Sequence, residues 1–402
     1  MLNRADFPIF ERSVQGCRLA YLDSAATTQK PKVVLQAIDH YYRYSNSNVH
    51  RGLHTLSSEA TKAFESGRIS LGSWINAKKP DKEVIFTKGA TEALNLAAWG
   101  LAEHLNIGDE ILISALEHHA NIIPWQQVAK RTGAVLKQIP INEFGEIDLA
   151  DYQKMLSKQT KIVAVNAMSN TLGTINPIQV MSEHAHKLGA ILVCDATQMA
   201  PHFKIDVQAL GCDVLAMSGH KMYGPTGIGL CYARHDLLES WEVYQTGGEM
   251  IEHVTFTSAT YKPVPFRFEA GTPNIAGVIG WSAAIEYMRP RMQALIEHEH
   301  KLVQLLDAGL DAIPGVKRYS LARNKTAIAA FTLENCHPQD VATMLDTFGV
   351  AVRSGHHCTM PLLQNIGVSG LVRASIAAYT EEQDIQQLLN ALPKVQVMCE
   401  CT

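Results

Sequence analysis

Four side chains in this sequence could do chemistry that the rest of the chain must support: Lys221, Asp195, Cys358 and Arg373. Lys221 closes the stretch Ser218-Gly219-His220-Lys221, which follows a short apolar run and precedes a glycine-rich loop. An ordinary lysine keeps only about one amine in 2,500 free at pH 7, so a nucleophilic lysine needs surroundings that favour the neutral form. Ser218 and His220 add donors, making an anion-binding corner beside an amine that could trap a carbonyl. Asp195 ends the apolar run 190–195, where burial is costly for a carboxylate that meets no cation or strong donor. Cys358 lies in Arg353-Ser354-Gly355-His356-His357-Cys358, a polar, cation-rich setting. A free thiol is about 3% thiolate at pH 7, and nearby cations raise that fraction. Arg373 interrupts the apolar run Leu371-Val372-Arg373-Ala374-Ser375. A buried guanidinium requires an anion, and its fork suits a carboxylate, either a substrate's or a structural partner's. Each residue also has a plainer reading: a solvated loop lysine, a metal corner for His-His-Cys, an internal ion pair for the arginine.

The elements needed to position these groups are legible. Apolar runs at 83–87, 109–115, 161–166, 190–195, 212–217 and 228–232 alternate with helical spacing at 31–44, 56–77 and 90–101, which fits a doubly wound, mostly parallel α/β sheet. Ligands bind at the carboxyl ends of such strands. Thr87-Lys88-Gly89-Ala90-Thr91 is a strand, a glycine turn and a helix start, and the amides of Ala90 and Thr91 with the Thr91 hydroxyl would hold a phosphate. From about 276 a smaller α+β unit follows, with a strand at 327–333, a helix at 338–348, a strand pair around Val350 and Val372, and a C-terminal helix at 382–392. The domains are read as 20–265 and 266–402, the latter joined by 1–19. Pyridoxal phosphate needs a lysine for its aldehyde, an acid for its ring nitrogen and an anion site for its phosphate. Lys221, Asp195 and the 87–91 turn offer all three.

The blocks YLDSAATTQKP, SNVHRGLHTL, EHHANIIPW, DATQ, SGHKMYGPTGIG, RFEAGTPN, VRSGHHCTMPLL and LVRASIAAY, running from Tyr21 to Tyr379, resemble the PLP-dependent cysteine desulfurases of the SufS and CsdA type, in the fold-type I class V aminotransferase family. The resemblance implies a large PLP-binding domain and a smaller one carrying the nucleophilic cysteine. It implies that Lys221 carries the cofactor and removes the α-proton, and that Asp195 holds the pyridine nitrogen. His118 would stack on the ring and shuttle protons, with Asn170 and Gln198 near its phenolate oxygen. Ala90, Thr91, Ser218 and His220 would surround the phosphate, joined by Thr272 reaching across a homodimer with shared active sites. His50, Asn170, Arg353 and Arg373 would surround the substrate. Cys358 would accept sulfur from L-cysteine, leaving L-alanine and a persulfide that passes to a SufE- or CsdE-like carrier for iron–sulfur cluster assembly. A selenocysteine lyase acting on L-selenocysteine is the alternative on this scaffold. Ala25 and Ala26 would edge the pocket, and His119 would be structural.

The net charge of −4 gives no electrostatic reason to expect nucleic acid or an anionic membrane. No leader-type apolar segment or membrane-length run stands out, so a cytoplasmic protein is expected. Eight cysteines in 402 residues are too few for a disulfide framework. Cys194 and Cys231 read as core residues, and Cys399 and Cys401 as part of a frayed terminus. No metal is expected. A metal-dependent hydrolase built on His118, His119, His356 and Cys358, and a non-catalytic binding module, are the competing classes.

Overall fold

The computed structural model describes residues 3–400. Its centre is a seven-stranded sheet in the order Val84–Thr87, Gly229–Ala233, Val214–Ser218, Ile191–Asp195, Thr160–Asn166, Glu110–Ser114 and Val135–Ile139. The five strands from Val214–Ser218 to Val135–Ile139 pair in parallel, and Gly229–Ala233 runs antiparallel to both its neighbours. Strands buried on both faces account for the near-continuous Val, Ile, Leu and Ala runs. Register puts Asn166 beside Asp195, and Asp195 beside Ala216, so the chemistry-bearing residues leave the sheet along one edge. The strand Val135–Ile139, half-exposed at the end of the sheet, carries Lys137 and Gln138 and gave no apolar run to detect.

The second unit is a four-stranded antiparallel sheet of Val316–Arg318, Ile328–Leu333, Leu371–Ser375 and Arg353–Gly355. Its core is packed by Leu302, Val303, Leu306 and Leu310 of the helix Met292–Asp311 and by the C-terminal helix. The sequence places the boundary at 266, but the helix Ile275–Met288 packs on Lys32–His40 and Thr55–Trp74 of the large unit. The change of core therefore falls within Met292–Asp311. Val350 does not pair with Val372. The strand Val350–Ala351 runs parallel to Ala20–Tyr21, and Leu371–Ser375 pairs with Arg353–Gly355 instead. The last helix runs Glu382–Glu400, past Pro393, because Leu388, Ala391, Leu392 and Val395 stay buried on one face across the proline. Cys399 is thus helical, not frayed, and forms a disulfide with Cys336, with Cα atoms 5.6 Å apart. Cys401 lies outside the described residues. No helix among the described residues is long and apolar enough to cross a membrane.

One buried ion cluster ties the long helix Thr55–Trp74 to the segment after residue 265. Arg68 is fully buried and donates to both carboxylate oxygens of Glu269 at 2.6 and 2.8 Å, to Glu65 at 2.9 Å and to the Val84 carbonyl at 2.9 Å. Glu269 also accepts the Phe86 N–H at 2.7 Å. Removing the guanidinium leaves an uncompensated buried carboxylate. Arg68→Met is expected to lower unfolding free energy by about 3–5 kcal/mol, read from urea unfolding of the two chains.

Candidate active site

Lys221 leaves the strand Val214–Ser218 on a single 3-10 turn, Gly219–Lys221. The turn fits only because residue 219 has no side chain: a Cβ there would meet Ile228 at 2.9 Å and the Trp281 ring at 3.1 Å. Its backbone is pinned from the N-terminal loop, where the Thr28 N–H, both Thr27 and Thr28 hydroxyls, and Lys30 Nζ all donate to the His220 carbonyl. The amine points into a cavity of about 210 Å³ also lined by Asp195, His118, Asn170, Gln198, Arg373 and Cys358. Asp195 ends a strand, His118 caps the turn His119–Asn121 that follows the strand Glu110–Ser114, and the small unit supplies Arg373 and Cys358.

Burial decides the electrostatics. It pushes the Lys221 ammonium down to about 8, against the pull of Asp195. His118 is pushed down to about 4 by burial and by Lys221, so its imidazole is neutral at pH 7. Its Nδ1 accepts the Ala120 N–H at 3.1 Å, which leaves Nε2 as the protonated nitrogen. His220 is likewise pushed down to about 4 by burial, Lys221 and Lys30. Asp195 is 7% exposed and accepts the Thr197 N–H at 3.0 Å. Arg373 is buried, and loss of solvation lowers it to about 10. It donates to the Asn170 carbonyl at 2.7 Å and lies 3.3 Å from Asp23, but its Nε has no partner among the described residues. The internal ion pair with Asp23 is therefore real, and it leaves part of the guanidinium unsatisfied.

Several residues stand where the sequence reading put them but hold different partners. The Ala90 N–H donates to Ser218 Oγ at 2.8 Å, so that amide and that hydroxyl satisfy each other beside Thr91. Asn170 Nδ2 donates to the His357 carbonyl at 2.7 Å, gripping the cysteine loop. Gln198 Nε2 donates to the Ala25 carbonyl at 2.7 Å. Ala25, Ala26, Thr91, Arg353 and His220 also line the cavity. His50 and Thr272 do not. His50 bonds Glu65 at 2.8 Å with its ring against Phe64 and Phe266, and Thr272 lines a separate cleft with Lys88 and Gln245. Within one chain these two are not part of the site.

Sequence reading missed Glu117. It is fully buried, held by the Ser114 hydroxyl, by Asn121 Nδ2 at 2.7 Å and by the Asn166 N–H at 2.9 Å. Burial raises its carboxyl to about 7. It anchors the turn that presents His118, and the available signal was an acid between the buried strand 110–114 and two histidines. The metal corner is not built. His119 Nε2 accepts the Met360 N–H at 3.1 Å and His356 Nδ1 the Cys358 N–H at 3.1 Å, and no cluster of three or more metal-ligating side chains occurs among the described residues.

A doubly wound sheet with a buried lysine, a strand-end carboxylate and a smaller antiparallel unit over the site defines a fold-type I architecture. Residues 20–388 match the aminotransferase class-V family, and the chain belongs to it, among the cysteine desulfurases. It is 48% identical over 393 residues to a probable cysteine desulfurase of Halalkalibacterium halodurans, covering 97% of this chain and 96% of that one. Among solved structures, the apo cysteine desulfurase of Thermococcus onnurineus superposes with a TM-score of 0.93 at 38% identity, covering 99% of this chain and 98% of that one. The S-sulfonic acid form of CsdA from Escherichia coli gives 0.91 at 36%, covering 98% of each. These relatives favour the desulfurase over the selenocysteine lyase and set aside the hydrolase and the non-catalytic module.

Proposed function

We propose that the chain is a cysteine desulfurase that uses pyridoxal phosphate in this cavity to convert L-cysteine to L-alanine, leaving the sulfur as a persulfide on Cys358. One observation carries the reading: a desolvated lysine, a thiol and a partly unsatisfied buried guanidinium face a single cavity. The donor set suits that cofactor. Lys221 is the amine for its aldehyde, Asp195 the acid for its ring nitrogen, and Thr91 with His220 stand at a helix N-terminus for its phosphate. Thr197 Oγ1 and Gln198 Oε1 are buried polar atoms of the same wall with no partner among the described residues. Bound there, pyridoxal phosphate supplies an electron sink next to the substrate α-carbon.

The chain's own groups do the rest. Arg373 holds the substrate carboxylate through the edge that Asp23 and Asn170 leave free, and Arg353 stands at the mouth. Lys221, with its lowered proton affinity, takes the α-proton and returns one. Neutral His118, protonated on Nε2, donates or shuttles a proton across the cavity. The Cys358 thiolate attacks the substrate sulfur. A sulfur–sulfur bond forms as the carbon–sulfur bond breaks, and the electron pair stays with the carbon skeleton, which after protonation is L-alanine. Cys358 is half-buried and flanked by exposed His356 and Met360, which leaves the persulfide within reach of a soluble sulfur-carrier protein of the SufE or CsdE kind supplying iron–sulfur cluster assembly. The separate cleft at Thr272 supports a homodimer in which that segment completes the partner's phosphate site, and a cytoplasmic location fits the acceptor chemistry.

The test is the visible spectrum of the purified protein before and after L-cysteine, with alanine and protein persulfide assayed in the same sample. A yellow protein whose band shifts and which forms both products supports the proposal. A protein that cannot be loaded with pyridoxal phosphate ends it. Arg373→Ala is expected to raise KM for cysteine by about tenfold to a hundredfold, with a smaller effect on kcat, in steady-state alanine assays. Arg373→Lys should recover only part of this, since an ammonium lacks the planar fork.

A further inference from the structure

The proposed nucleophile sits on strained backbone that its own loop holds only in part. His357 and Cys358 have φ of 50° and 59°, a consecutive left-handed pair that side chains with a Cβ disfavour. Within the loop His356 Nδ1 accepts the Cys358 N–H at 3.1 Å and the His356 carbonyl accepts the Thr359 N–H at 2.8 Å, and the large unit supplies further restraint. Asn170 Nδ2 meets the His357 carbonyl, the His119 N–H donates to the Cys358 carbonyl at 2.8 Å, and His119 Nε2 accepts the Met360 N–H at 3.1 Å. His119 therefore grips the chain at two points just after the thiol-bearing side chain, and Asn170 holds the point just before it. Its own ring is outside the cavity wall, lying instead against His356 with centroids 5.8 Å apart.

We propose that His119 is the positioning residue of the sulfur-accepting thiol: neutral, and accepting at Nε2, it holds residues 357–360 in the conformation that aims Cys358 into the cavity. The inference rests on the sulfur-transfer reading of that cavity. Only the unprotonated ring nitrogen can accept, so Nδ1 carries the proton in the working form, and an imidazolium would lose the Met360 bond. The titratable groups that face His119 are His356 and Cys358 from the cysteine loop and His118 from its own turn, whose ring is 6.3 Å away. Burial, then His356, lowers the proton affinity of His119, which keeps the acceptor available at neutral pH.

The experiment compares the full chain loaded with pyridoxal phosphate against His119→Ala, His119→Gln and His119→Asn. A glutamine amide oxygen can reach the place of Nε2, whereas asparagine is one atom short. His119→Ala and His119→Asn should form persulfide from L-cysteine about tenfold more slowly, with KM little changed, and exchange the Met360 amide hydrogen about tenfold faster, the effect of losing one hydrogen bond. His119→Gln should restore both and abolish any loss of persulfide rate on acidification that the wild type owes to this imidazole. Wild-type rates or wild-type exchange in His119→Ala would overturn the proposal, as would a glutamine variant no better than the asparagine one. If alanine at 119 prevents folding, the glutamine–asparagine contrast decides alone. If the wild type forms no persulfide, the sulfur-transfer reading fails, and amide exchange still decides whether His119 clamps the loop.

Discussion

Lys221→Ala is expected to abolish turnover of L-cysteine, by at least about 10⁴-fold, because it removes both the covalent anchor and the base for the α-proton. The structure makes a sharper demand than loss of activity. Burial lowers the Lys221 ammonium to about 8, so its free amine becomes abundant at a pH where a solvated lysine would still be almost wholly charged. Only the deprotonated amine attacks an aldehyde. The rate at which cofactor-free protein captures pyridoxal phosphate should therefore rise with pH through a midpoint near 8 and level off above it, instead of climbing on toward the ordinary lysine value. Absorbance recorded after mixing, from pH 6 to 10, gives that midpoint. Lys221→Arg should capture nothing, since a guanidinium stays protonated throughout. A midpoint near the solvated value would show that the amine is not desolvated, and retained turnover in Lys221→Ala would remove lysine from the mechanism.

Why Lys221 and Asp195 were legible in the sequence, and their neighbours less so, follows from where the information resides. Asp195 ends a run buried on both faces and Lys221 follows another by a single turn, and in a parallel sheet the end of such a run is a ligand edge whatever the sheet's order. That inference needs no partner. Asn170 does need one: an amide after a strand can turn to substrate, cofactor or backbone, and here it turns to the His357 carbonyl, 187 residues away. Ala90 and Ser218 were each assigned to the phosphate, yet they meet each other across 128 residues. The pairing of Val350 with Ala20 is equally non-local, since two strands of two residues each carry too short a pattern to specify it. The C-terminal helix, read as ending at 392, runs on for the opposite reason: the proline at 393 disfavours continuation locally, while burial of Leu392 and Val395 carries the helix past it. The Cys336–Cys399 link joins residues 63 apart with nothing in their spacing to pair them.

Cys358→Ser is expected to lower alanine formation from L-cysteine by roughly 10³-fold while leaving the first encounter with substrate intact. A serine hydroxyl at pH 7 is a far weaker nucleophile toward sulfur than a thiolate, and among the described residues neither histidine of its loop bonds the side chain at 358. His356 Nδ1 is engaged by the Cys358 backbone N–H, and His357 is buried with its Nε2 at the Leu371 carbonyl. The groups that bind substrate and move its α-proton, Arg373, Lys221 and His118, lie on other elements and keep their contacts. The variant should therefore still change the visible band of the loaded protein on adding cysteine, with the response stalling before alanine appears. Wild-type protein in a single turnover should yield alanine and Cys358-bound sulfur in equal amounts, the latter identified by mass on the peptide containing residue 358. A serine variant that released alanine at the wild-type rate would mean that the carbon–sulfur bond breaks without this thiol. The left-handed backbone of residues 357 and 358 would then hold a cysteine that the reaction does not use.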